Sequence, residues 1–285
     1  MLLIDTCSDL PAAIVEELGV EVLNFPYTLA GCEHVDDFGR TQSHQEFYAA
    51  MRAGEHPTTM QVPRSSFIDV FTRYAAKGEP LLYLGFSSAL SGTFDLAWLA
   101  RKEVLEQYPD ADIRLVDTKA AAVAEGLLVY EAARRWRDGM SLDDVERWVE
   151  AERPRLNGWF IVDDLETLRR GGRLNGAMAA AGTLLEVKPL LHITNDGRLD
   201  LKRSIRGRAK SMRALADLVA ERAKDPSAQT IAVAHGDALE DAEALKAMIA
   251  ERVDVVDIIT MQTGPVIGAH TGPGMLAVVF WGEAQ

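Results

Sequence analysis

The sequence predicts an α/β protein of two domains, the first with a mostly parallel sheet flanked by helices and the second with a mixed sheet. Short apolar runs alternate with amphipathic helical stretches from the first residues onward, as expected of strands joined by crossing helices. The texture changes after Pro154, where strands and turns crowd together, so the domains are drawn as 1–154 and 155–285. Asn195-Asp196-Gly197 between two apolar runs reads as a hairpin turn, which brings antiparallel pairing into the second half.

Taken in order, residues 2–4 read as a strand, Ser8 or Asp9 is placed to cap a helix with Pro11 in its first turn, and Gly19 ends that helix. Residues 20–25 read as a second strand. A polar segment with Asp36 and Asp37 follows, then helices over 44–52 and about 66–76. The apolar run 81–86 is a strand that empties into Ser87-Ser88-Ala89-Leu90-Ser91-Gly92-Thr93, and a helix is expected over 94–108. Residues 113–116 form a strand ending at Asp117-Thr118, 121–136 a long apolar helix, and Ser141 caps another that stops before Pro154. Beyond the boundary, strands are expected at 159–162, 190–194, 199–204, 230–234, 255–260 and 275–281, and helices at 208–222 and 239–252.

Composition narrows the function. With 43 acidic and 30 basic residues in 285, the formal charge is −13, which excludes an obvious nucleic-acid binder. Apolar residues at 48% and charged residues at 26% are enough for a packed core. Cys7 and Cys32 are too few for a disulfide framework, and Asp5 and Asp9 interrupt the apolar start, so the expectation is a reduced, cytoplasmic protein. Residues 258–282 carry no Asp, Glu, Lys or Arg, yet Gly264, Pro265, Gly268, Gly272, Pro273 and Gly274 break them. They read as two buried strands around a loop rather than an integral membrane segment. The histidines show no metal-ligand spacing, and neither a metal nor another cofactor is expected.

The chemistry concentrates in a few segments. The 87–93 loop places hydroxyls and first-turn amides at a helix N-terminus, a point that attracts an anion, although Ser91 as a plain helix cap accounts for the spacing equally well. Gly85-Phe86-Ser87-Ser88-Ala89 is one residue away from a nucleophile elbow, so a serine esterase with Ser87 as nucleophile and His235 or His270 as base is a rival reading. The Leu90-Ser91-Gly92-Thr93 continuation speaks against it, because it delays the helix that should begin at the elbow. Thr58-Thr59-Met60-Gln61 supplies further hydroxyl and amide donors. Arg169, Arg170 and Arg173 surround Gly171-Gly172, a turn suited to carboxylate or phosphate, or else merely solvated. Lys202, Arg203, Arg206, Arg208, Lys210 and Arg213 form a second basic cluster. The glycine-rich 264–274 loop holds a single histidine, His270, able to bond a carboxylate but more often structural in such a setting.

In their order and spacing these motifs resemble the bacterial DegV family. The resemblance runs from Asp5-Thr6-Cys7-Ser8-Asp9-Leu10 through Pro57-Thr58-Thr59-Met60-Gln61, the 87–93 loop, Asp117-Thr118, the segment from Asp164 to Arg173 and Lys188-Pro189 to His270-Thr271-Gly272-Pro273-Gly274. It implies a DegV-like two-domain α/β fold holding a long-chain fatty acid in a tunnel between the domains. By motif, the carboxylate ligands fall on Thr59 and Ser91, with the Gly92 amide beside them and His270 from the C-terminal loop. The family resemblance further implies a subunit without a catalytic centre, which presents the carboxylate to a separate fatty acid kinase subunit for conversion to acyl phosphate. Arg173 matches the arginine implicated in contact with that kinase. A lipid carrier or regulator without a kinase partner is the other reading. The family usually has Thr-Ser-Gln-Pro where this chain has Thr59-Met60-Gln61-Val62, with the proline one residue late at Pro63.

Overall fold

The computed structural model describes residues 1–163, 165–174 and 187–284, so the motif residues Asp164 and Asn175 lie outside the described residues. The first half builds on β1 (Leu2–Asp5), β2 (Glu21–Leu23), β6 (Leu81–Gly85) and β7 (Ile113–Asp117), which pair in the order β2-β1-β6-β7. Every pairing in this sheet is parallel. β1 and β6 are buried at every position, which is why they read as unbroken apolar runs rather than alternating ones. Its helices are α1 (Ala12–Leu18), α2 (His44–Arg52), α3 (Arg64–Ala75), α4 (Thr93–Gln107), α5 (Val123–Arg137) and α6 (Leu142–Glu152).

The second sheet has six strands: β8 (Leu156–Ile161), β9 (Val187–Ile193), β10 (Leu199–Arg206), β11 (Thr230–His235), β12 (Asp257–Gln262) and β13 (Leu276–Trp281). Their order is β10-β9-β8-β13-β11-β12, with only β11 and β12 parallel, so the sheet is mixed. The turn between β9 and β10 is the expected hairpin, with Gly197 at φ +80° and its amide donating to Thr194 O at 2.8 Å. Three further helices are α7 (Glu166–Arg170), α8 (Arg208–Arg222) and α9 (Leu239–Ala250). On one face of the sheet Trp159, Ile161, Val233 and Phe280 pack with Leu215 and Val219 of α8 and Leu245 and Ile249 of α9.

The other face shares a core with the first sheet. Phe160, Leu191, Ala232 and Val279 belong to the same apolar cluster as Ile4, Leu82 and Leu84, with Leu127 and Leu128 of α5 among them. α5 is buried continuously from Val123 to Val129, a stretch apolar on every side but for Glu125.

Three expectations need correction. Residues 26–35 are not merely polar linker: β3 (Pro26–Leu29), β4 (Cys32–Val35) and β5 (Thr58–Thr59) form a small antiparallel sheet in the order β4-β3-β5. The β3-β4 turn has positive φ at Ala30 and Gly31, a primed-turn geometry that Ala-Gly signals poorly. The 264–274 loop instead contains a helix, α10 (Pro265–Thr271), with Pro265 in its first turn and Gly272 at φ +77° after its end. Ser8 and Asp9 do not cap α1. They are buried, with Ser8 in a 3-10 turn (Thr6–Ser8) whose cap is Asp5, accepting from Cys7 N–H at 3.0 Å.

Candidate functional site

Where the segments that follow the first sheet's strands, among them Cys7, Phe25, Phe86 and Ala121, meet the second sheet lies a cavity of about 220 Å³. Its walls are apolar: Phe160 of β8, Ile193 of β9, Ala277 and Val279 of β13, and Val123 at the start of α5. Thr59, Gln61, Ser91, Arg173, His270 and Thr271 are polar members of the lining.

Two elements that the sequence could not place together meet here. The pairing of Thr59 with Tyr27 in the small sheet fixes β5, and the last turn of α10 delivers His270, so that Thr59 Oγ1 and His270 Nε2 share a hydrogen bond of 2.8 Å. Among the described residues His270 Nδ1 has no hydrogen-bond partner. Burial, and then the charge of Arg173, hold the His270 pKa down at about 4, leaving a neutral imidazole near neutral pH. Gly171 packs against the ring so closely that a Cβ there would stand 2.1 Å from Nδ1, which gives the first glycine of the double-glycine turn its reason.

Ser91 faces the cavity and also serves the helix, its Oγ accepting from Thr93 N–H at 3.3 Å and bonding Thr93 Oγ1 at 3.0 Å. Gly92 is the N-cap of α4 and is not among the cavity-lining residues. The Gln61 amide packs over it, where a Cβ would come within 2.4 Å of Gln61 Nε2. Sequence reasoning gave Gln61 no role of its own, and its place beside Gly92 depends on a long-range contact. Arg173, read from the sequence as a partner contact, lines the same cavity. Its Nε donates to Leu90 O at 3.1 Å and its Nη1 to Gly171 O, and among the described residues no carboxylate pairs with it.

Ser87 has another task. It is fully buried, its Oγ donates to Gly197 O at 2.9 Å, and a Cβ on Gly197 would lie 2.1 Å from that oxygen. Neither histidine serves it: His235 Nδ1 accepts from Ala238 N–H at 3.2 Å, and His270 bonds Thr59. Ser87 therefore anchors the β9-β10 turn and lacks the base that an esterase nucleophile needs.

Of the basic clusters, Arg169 forms a two-pronged pair with Glu166 at 2.8 and 2.7 Å, while Lys202 pairs with Asp200 and Arg208 with Asp163 and Asp241. Among the described residues no three His, Cys, Asp or Glu side chains are arranged to hold a metal ion, and no helix is long and apolar enough to cross a membrane.

A family model described as uncharacterised protein, DegV family COG1307, matches residues 1–283. A DegV domain-containing protein of Clostridium perfringens is 42% identical over 281 residues, covering 99% of this chain and 97% of the relative. Among solved structures, a DegV family protein of Thermus thermophilus described for its fatty acid binding superposes with a TM-score of 0.88 at 30% identity, covering 99% of each chain. A DegV lipid binding protein of Thermotoga maritima gives 0.86 at 27% identity, over 100% of this chain and 98% of its own.

Proposed function

The chain belongs to the DegV family, COG1307, and on that premise we propose that it binds a long-chain fatty acid in the cavity against its second sheet. The observation that carries this reading is an apolar cavity whose lining includes a set of hydrogen-bonding side chains. Fatty acids bound by DegV proteins of similar fold support it. A sixteen-carbon acid would bury about fifteen carbon groups, on the order of 12 kcal/mol before ordering costs, so affinity comes from the tail. The head needs hydrogen bonds chiefly to offset desolvation.

In this reading the carboxylate lies against Thr59, Ser91 and His270, while the Gly92 amide that the family resemblance also implies stands off the lining, with Gln61 packed over it. With the neutral imidazole donating from Nε2–H to Thr59 Oγ1, the threonine O–H is left to donate to the carboxylate, and Nδ1 stays the unprotonated nitrogen without a partner. Arg173 adds a positive charge to the same lining and clamps the 87–93 loop to the double-glycine turn. The chain presents this carboxylate to a separate kinase subunit for acyl phosphate formation and has no catalytic centre of its own. It acts in the cytoplasm, as two domains divided near residue 154.

Fatty acid titrations together with pull-down from native extract test the proposal. Oleate or palmitate should bind one per chain, Ser91→Ala should weaken uptake by roughly tenfold as one hydrogen bond to a charged group is lost, and a kinase subunit should co-purify and be lost on Arg173→Ala. Unchanged affinity in Ser91→Ala removes Ser91 from the site, and saturable lipid binding without any kinase leaves a carrier or regulator.

A further inference from the structure

Away from that cavity, Asp5, Asp9, Asp36 and Glu125 are buried, and the charges that act on Asp9, Asp36 and Glu125 are those of other acids. Asp5 is fully bonded, by Tyr83 Oη at 2.7 Å and the amides of Cys7 and Phe86. Asp9 is not. Its Oδ1 accepts from Gly264 N–H at 2.9 Å, but among the described residues Oδ2 has no partner although the residue is only 5% exposed. Asp36 lies against the same backbone point, since a Cβ on Gly264 would stand 3.0 Å from Asp36 Oδ2 and 3.2 Å from Asp9 Oδ1. Burial, helped by Asp36 and Asp5, raises the Asp9 pKa well above the carboxylate range, and burial with the charges of Asp37 and Asp5 brings Asp36 to about 7.

These two carboxyls line a cleft of about 730 Å³. His44 and His235 also line it, both held toward the neutral form by burial, and His44 Nε2 has no partner. Asp237, paired with Arg52, and Glu243, paired with Lys246, complete its titratable groups. No Lys or Arg is among the described residues that line it, while Phe38 and the exposed Leu239 give it an apolar side.

We propose that this cleft is a second ligand site, taking a small aliphatic amine whose ammonium group lies against Asp9 and Asp36. The class follows from the chemistry of the walls. Burial holds both acids toward the protonated form, so ionising them without a cation is costly, and an ammonium brings both the charge and three N–H donors. Its methylenes pack on Phe38 and Leu239. A bare metal ion fits less well, because no three suitable side chains converge on one point among the described residues.

Calorimetric titration of the purified full chain with putrescine at pH 7, in two buffers of different ionisation enthalpy, tests this. Saturable binding of one amine per chain is expected, with a heat that differs between buffers because the ammonium drives protons off Asp9 and Asp36 into solution. Asp36→Asn, close in shape to the protonated acid, should weaken binding roughly ten- to hundredfold. No saturable binding at millimolar amine, equal heats in both buffers, or unchanged affinity in Asp36→Asn each overturns the proposal, the last by marking a general attraction to an acidic chain. If Asp36→Asn does not fold, the buffer comparison on the unsubstituted protein decides alone.

Discussion

His270 combines a polar task with a dry position. Its ring bonds Thr59, backs onto Gly171 and feels the nearby charge of Arg173, so folding removes it from water and disfavours the imidazolium. The consequence is measurable by proton–nitrogen NMR of the imidazole. In lipid-free protein the ring should stay neutral down to about pH 4, and a bound carboxylate should raise that value. Because the folded pKa lies below the unfolded one, near 6.5, the stability linked to this residue is present above that pH and is lost as pH falls toward 4. An ordinary titration near 6.5 in the lipid-free protein would contradict the buried geometry.

At the scale of elements, the β9-β10 turn shows how a local motif is tied to a distant one. Gly197 needs a positive φ for the turn and has no room for a Cβ beside Ser87 Oγ. Gly197→Ala should therefore cost about 1–3 kcal/mol, read as a lowered melting temperature in calorimetry, and an unchanged transition would show the turn to be less constrained than its geometry implies. This hairpin was legible because Asn-Asp-Gly carries its own conformational preference. β6 and the first half of α5 were legible as well, since such burial leaves a nearly unbroken apolar signature. The small sheet was not, because its strands are two to four residues long and its turn lacks Asn or Asp. α10 was missed although Pro265 and Gly272 punctuate it, because the glycines between and around them dominate the reading. The site itself was legible only as separate motifs. That Thr59 and His270 touch depends on β3, the one neighbour of β5 in the small sheet and an element absent from the reading.

Across the whole molecule, the charge of −13 does not describe either ligand-sized space. Arg173 brings a guanidinium to the cavity against the second sheet, while buried acids line the cleft at Gly264. The first sheet, α5 and one face of the second sheet share a single apolar core, and the cavity lies beside it, walled by the second sheet, the start of α5 and the segments that follow the first sheet's strands. An apolar void lined by Phe160, Ile193, Val123 and Val279 calls for an apolar occupant, and the hydroxyls, imidazole and guanidinium beside it call for an anionic head on that occupant. Native mass spectrometry of gently purified protein tests this most directly. The account predicts an added mass equal to one long-chain fatty acid per chain, exchangeable for added oleate or palmitate. A chain that carries no acyl mass and takes up neither acid would contradict it.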